Sequence, residues 1–372
     1  MGWVCRAFRS AASDPRVWTY VSFRTGWLNQ KNLQPVMDYA KKRINPRLLR
    51  SLDFSGLKKL AGSTVASFLE SADNLKILNI SGCEQLDFIT VLLNSVPENC
   101  PNLKTIDLSS IQPSMAVALK FSNVLLDYLI KFSQGLEQLN VEKTLLPGLV
   151  KILSDADKWA CGETLKILDL SSLSTASCSL FKGGRPLAIQ NLAEATPNLE
   201  TLLLVDSPFS GYHWVDEQNF IDDAERVNHP FWLNLREVDL SFVSRTCFTY
   251  KDHEDIIRFL SGCLNLQSLA ISKHKNVMAS LRWFDRQKLR TLYASGSSGT
   301  IESSQAHLLL AFRAFQPYLE NLDLSWTNSV GENIVNLILS VIPHKGQMTP
   351  QQRPRLKRLS IAGCSVEAGV LK

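Results

Sequence analysis

The chain has 372 residues, 45% of them hydrophobic and 20% charged, with a formal net charge of +5. A single hydrophobic core stops growing near ~250–300 residues, so this length implies two or three compact domains, or a repeat array whose units bury their faces against each other. No run of eighteen apolar residues occurs, which argues against a membrane-spanning helix. The eight cysteines are scattered without a CxxC pair, which argues against zinc and redox centres and predicts reduced, mostly buried thiols in an intracellular protein.

Residues 1–24 predict a small helical segment. Val4, Phe8 and Ala11 or Ala12 fall on one side of a helix, Asp14 follows Ser13 where a new turn can be capped, and Pro15 suits the first helical position. Val17, Trp18 and Val21 then fold back as an apolar plug. Arg6 and Arg9 interrupt any secretory h-region, and Arg6 stands where a myristoylation site carries Ser or Thr. Residues 25–48 read as a basic helical linker or cap for the first repeat. Residues 1–60 hold twelve Lys or Arg against three acids, a net +9, which leaves −4 for the rest. That basic end is either a solvated helix face around "AKKRINPR" or a contact for an acidic partner; no nucleic-acid motif accompanies it.

From Leu49 onward one phrase, apolar-x-x-apolar-x-apolar, recurs eleven times, beginning at Leu49, Leu75, Leu103, Leu136, Leu165, Leu199, Leu235, Leu266, Leu289, Leu319 and Leu356. The closing x-L-x-L alternates with the period of a half-buried strand. Between phrases the apolar period becomes helical, as in "NVLLDYLIKFSQG" and "NIVNLILSVI". The phrases recur every 23 to 37 residues. One strand and one helix cannot bury their own apolar sides, whereas a stack shares a continuous core.

This pattern resembles the leucine-rich-repeat family over residues 49–372. The resemblance implies an α/β solenoid of about eleven strand–helix repeats, with a parallel sheet on the concave side and helices outside. Two departures stand out. Most intervals exceed the usual ~20–29 residues, and the Asn/Cys position after the strand is irregular. Cys83 and Cys364 fill it as in the cysteine-containing subtype, but elsewhere it is Ile111, Thr144, Leu173, Ser207, Val243 or His274. The N-terminal segment resembles the second half of an F-box, V-C-[KR]-x-[WF]-x-x-x-[AS]-x-D-[PE]-x-[LV]-W. It matches at Val4, Cys5, Arg6, Phe8, Ala12, Asp14, Pro15, Val17 and Trp18. By comparison with that family, the Leu-Pro dipeptide and first amphipathic helix are missing. A plain N-terminal cap on the first repeat is the rival account of the same segment.

The exposed column of the strands reads Asp53, Asn79, Asp107, Asn140, Asp169, Leu203, Asp239, Ala270, Tyr293, Asp323 and Ser360. Its five aspartates serve either as an acidic track or in local hydrogen bonds. Leu203 and Val205 break the polar column, and beside them lies an insertion, 206–232, rich in aromatic side chains, with Phe209, Tyr212, His213, Trp214, Phe220, Phe231 and Trp232. Leu203, Val205, Tyr212, Trp214, Trp232, Asp239 and Tyr293 are therefore the candidate protein-binding residues, because aromatic side chains and inserted loops are over-represented at interfaces. A second excursion, "PHKGQMTPQQRPRLKR", reads as a flexible loop.

The six histidines lie far apart, and no HExxH, phosphate-binding loop or G-x-S-x-G is present, so catalysis, metal and cofactor are not expected. The combined resemblance implies the substrate-recognition subunit of an SCF-type ubiquitin ligase in the cytoplasm or nucleus. In that role Val4, Cys5, Phe8 and Trp18 bind a Skp-type adaptor and its cullin complex, while the array or the 206–232 insertion holds a protein substrate. The alternative is an interaction scaffold that does not engage a ligase. Neither a nucleic acid nor a membrane is an expected partner.

Overall fold

The computed structural model describes residues 14–24, 30–173, 189–206, 232–241, 260–273, 281, 284, 288–297, 318–327, 330, 335–336 and 356–364. The chain divides into two compact units, Met1–Leu180 and Phe181–Lys372. In the first, strands β1 (Tyr20–Ser22), β2 (Ser51–Asp53), β3 (Ile77–Asn79), β4 (Thr105–Asp107), β5 (Gln138–Asn140) and β6 (Ile167–Asp169) pair in parallel in chain order. Helices α1 (Gln30–Lys41), α2 (Gly62–Leu69), α3 (Val96–Asn99, continuing a π-helical stretch Ile89–Ser95), α4 (Met115–Lys131) and α5 (Leu149–Ser154) fill the spacers.

The second unit repeats the plan with β7 (Thr201–Leu203), β8 (Glu237–Asp239), β9 (Ser268–Ala270), β10 (Thr291–Tyr293), β11 (Asn321–Asp323) and β12 (Arg358–Ser360), preceded by α6 (Ile189–Ala195). All its strand pairs are parallel and in register. Each unit is thus a leucine-rich-repeat solenoid, and all eleven phrases found in the sequence carry a strand.

The twelfth strand, β1, lies where the sequence predicted the end of a helical module. Pro15–Trp18 forms one turn of 3₁₀ helix, and Tyr20–Ser22 pairs with Ser51–Asp53 with Val21 opposite Leu52. In that register Trp18-Thr-Tyr-Val-Ser-Phe23 is itself a repeat phrase, with Trp18 at the leading position and Phe23 at the last. Val21 and Phe23 are buried, and Val17, assigned to an apolar plug, is exposed. Backbone N–H groups of consecutive strands cannot go unpaired inside a sheet, so an alternating V-S-F beside an open strand edge is drawn into it.

Two features repeat at the C-terminal end of the strands. Among the described residues, the one seven places after a leading position is left-handed: Gly56, Gly82, Ser110, Lys143, Ser172, Asp206, Lys273, Gly296, Trp326 and Gly363 all have positive φ, between 49° and 78°. Eight of these ten N–H groups reach the following repeat of the same unit, as in Gly82 N to Ser109 O at 2.8 Å and Lys143 N to Ser171 O at 2.9 Å.

One place further on, a side chain donates to the previous repeat. Cys83 Sγ bonds Phe54 O (3.4 Å), Thr144 Oγ1 bonds Leu108 O (2.7 Å), Ser297 Oγ bonds Ile271 O (2.9 Å), Thr327 Oγ1 bonds Ala294 O (2.9 Å) and Cys364 Sγ bonds Leu324 O (3.0 Å). This position is less irregular than the sequence implied, because the site needs a short donor and hydroxyl or thiol serves equally. Where Ile111 and Leu173 stand there, they are buried as apolar filler.

The buried thiols are chemically quiet. Burial pushes Cys83, Cys100 and Cys263 up to about 12, so almost no thiolate, the reactive form, exists near neutrality. Iodoacetamide at about pH 8 is expected to label these three only after denaturation; peptide mass spectrometry of native protein showing them alkylated would contradict the packing. Cys5, Cys178 and Cys247 lie outside the described residues.

Candidate functional site

On every strand the middle residue is in the core or at its margin, and its two neighbours are half-buried or exposed, save the small Ala270 of β9, which is buried; these neighbours form lateral rows across each unit. The row containing the aspartates is built into the backbone. One side-chain oxygen of Asp53, Asn79, Asp107, Asn140, Asp169, Asp239 and Asp323 accepts the N–H two residues on, at 2.8–2.9 Å. Such Asx turns satisfy the donors where the strand ends and set up the left-handed residue that follows. Of the two roles open to the five aspartates, local hydrogen bonding is therefore met by every one. In the first unit burial, ahead of all other effects, raises the Asp169 carboxyl, and Glu142 and Asp107 add to it. A neighbouring row is laced by ion pairs: Glu137 lies 2.9 Å from Lys166 and 3.1 Å from Lys104, and hydrogen bonds from those lysines lower its carboxyl.

The second unit gathers three of the predicted residues in one row. Leu203 faces Asp239, Asp239 faces Ala270, Ala270 faces Tyr293, and Tyr293 faces Asp323. Tyr293 is 42% exposed. Leu203 and Val205 are half-buried at the end of β7. Tyr212 and Trp214, like Val4, Cys5 and Phe8, lie outside the described residues, whereas Trp18 is half-buried at the head of the first repeat.

Trp232 is a correction. It is 2% exposed, and its indole Nε1 donates to Thr196 Oγ1 at 3.1 Å, whose hydroxyl in turn donates to Leu192 O at 2.7 Å. It stands three residues before Leu235, in the column that holds Ala72, Cys100, Ser133, Thr196 and Cys263 before their own leucines, all buried. An aromatic residue there fills the core rather than a binding surface.

The side chain that sequence reasoning missed is Trp326. It occupies the left-handed position after β11 with φ 61° and is 67% exposed. Its ring covers Gly363, where an added methyl group would run into the indole. A bulky residue held left-handed costs about 1–2 kcal/mol relative to glycine. The signal was available: "LDLSWTN" places Trp where other repeats place Gly, Ser, Lys or Asp.

Among the described residues no helix is long and apolar enough to cross a membrane, and no three His, Cys, Asp or Glu side chains converge as a metal site requires. No protein-family model and no curated protein sequence matches the chain. Similar solved structures include an internalin, InlF, of Listeria monocytogenes, at 12% identity over 96% of this chain and 94% of that one, with a TM-score of 0.45. Another is the complex of Rad7 and Elc1 in yeast, at 18% identity over 98% and 92%, with a TM-score of 0.41. The leucine-rich-repeat assignment rests on the repeat geometry of this chain itself.

Proposed function

We propose that this protein is the substrate-recognition subunit of an SCF-type ubiquitin ligase, working in the cytoplasm or nucleus. The observation that carries the reading is the segment Val4–Trp18, whose F-box-like residues run without a spacer into β1, beginning at Tyr20. In this role Val4, Cys5 and Phe8 contact the Skp-type adaptor, and the outward rows of the array or the 206–232 insertion hold a protein substrate. The chain performs no chemistry; it supplies proximity between substrate and partner enzyme, which is worth a large effective concentration.

The test is capture of the full chain by a purified Skp-type adaptor bound to its cullin. Wild type is expected to be retained at about 1 μM, and a Val4→Asp, Phe8→Asp variant to be lost at least roughly tenfold. Absence of wild-type retention would sink ligase membership. One observation favours a second reading, an interaction scaffold without a ligase: Trp18 heads the first repeat, so the array itself makes use of that residue.

A further inference from the structure

We propose that Tyr293, Asp323 and Trp326 form the seat for an arginine-bearing segment of a protein partner, with the exposed indole as its principal anchor. The inference rests on the reading of the array as a protein-binding surface and is independent of ligase attachment.

Two unconnected features mark Trp326. Its backbone is held left-handed where glycine, serine or short polar residues would relieve the strain, and its ring is 67% exposed instead of sheltered. Buried Trp232 is also left-handed, with φ 46°, so the backbone alone does not single out Trp326; its exposure does, and an exposed indole is the commonest anchor of a recognition surface. The ring leans on Gly363 to one side. To the other lies Gly296, over which the aliphatic stem of Lys273 passes, its Cγ 3.4 Å from where a Cβ would stand. Tyr293 lies on the adjacent strand, opposite Asp323, and is itself 42% exposed. Of the two exposed aromatic residues, Tyr293 is thus paired with Asp323 across the strands and Trp326 follows Asp323 by three residues. Asp323 accepts the Ser325 N–H on Oδ1 at 2.9 Å and stands on the outward row. On the other side of Tyr293 come small Ala270 and then a second carboxylate, Asp239.

Charge decides the occupant. The positive side chains Arg290 and Lys357 lie at the other end of the strands and share Glu320, at 3.8 and 2.7 Å. Lys273 stands two repeats before Trp326, beyond Gly296. The aromatic end of this face therefore carries two carboxylates, Asp239 and Asp323, against one cation, Lys273, beside two π-systems. A planar guanidinium satisfies both at once, stacking on indole or phenol while pairing with carboxylate. The arginine end of a bound segment would point toward the turns after the strands, and its acidic groups toward Arg290 and Lys357.

A displayed library of short random peptides selected on the full chain tests this. Enrichment of arginine is expected, with an enriched peptide losing affinity about tenfold or more when its arginine becomes glutamine, and by a similar factor on Trp326→Gly. Because glycine relieves the strained φ, Trp326→Gly is also expected to leave the thermal midpoint unchanged or raise it. Enrichment of acidic or purely apolar peptides overturns the proposal, as does failure to enrich any peptide. So does undiminished binding by Trp326→Gly, or a lowered midpoint, which would make the ring a packing element. Adaptor capture by Trp326→Gly should equal wild type. Its failure in both chains, with peptide binding intact, removes the ligase reading and leaves this one standing.

Discussion

Trp232→Ala is expected to destabilise the second unit by about 3–5 kcal/mol, the range for truncating a fully buried tryptophan. The loss has two parts. The cavity forfeits contacts along the column that joins Thr196, Trp232 and Cys263, and Thr196 Oγ1 loses the indole N–H 3.1 Å away while remaining buried. Chemical denaturation of the full chain, followed by circular dichroism and by hydrogen exchange at β7–β9, reads the change. A shift smaller than about 1 kcal/mol would mean that Trp232 is a surface residue after all.

Phe54→Ala should be comparably severe, at about 3–5 kcal/mol, and its effect should be local. Phe54 closes an aromatic cluster, stacked on Phe23 with centroids 5.4 Å apart and planes 7° apart, and meeting Phe68 edge-on at 5.6 Å; Phe23 and Phe68 meet at 5.3 Å. This cluster joins the last phrase residues of the first two repeats to α2. Repeat stability is the sum of each unit and its neighbour contacts, so an outer repeat has only one side to lose. Amide protection of Phe23, which bonds Asp53 O at 2.7 Å, and of Phe54, which bonds Asn79 O at 2.8 Å, should fall first. Uniform loss of protection through residue 173 would instead show that the first unit unfolds as one block.

Most of the architecture was legible because it is repetitive. Each leucine phrase declares its strand by alternation, and no tertiary information is needed to align eleven of them. The twelfth was hidden by its aromatic residues: Trp18 and Phe23 stand where leucines stand elsewhere, and they also complete a different recognisable pattern. The 31-residue spacing from Trp18 to Leu49 lies inside the range of the other intervals and was the available clue.

Trp232 went astray for the opposite reason. Composition assigned it to an aromatic insertion, whereas counting three residues back from Leu235 puts it in a core column. The local role of the aspartates became visible only in the geometry, since a carboxylate that caps a turn and one that meets a partner have the same sequence. Trp326 lies two residues beyond the strand phrase, outside the apolar pattern that marks each repeat.

The left-handed turn and the donor that follows it have a consequence for how this chain tolerates change. The strand pairing, the left-handed turn and the donor that follows it all lie within nine consecutive residues, from the leading apolar position to the short donor. The joint has a standard length; the spacer does not. Intervals from 23 to 37 residues are accommodated with the same strand pairing on either side. Residues can therefore be gained or lost between a donor and the next buried column without disturbing register, and the array behaves as a series of identical couplings joined by interchangeable arms. New surface can be added to any arm while the couplings stay as they are.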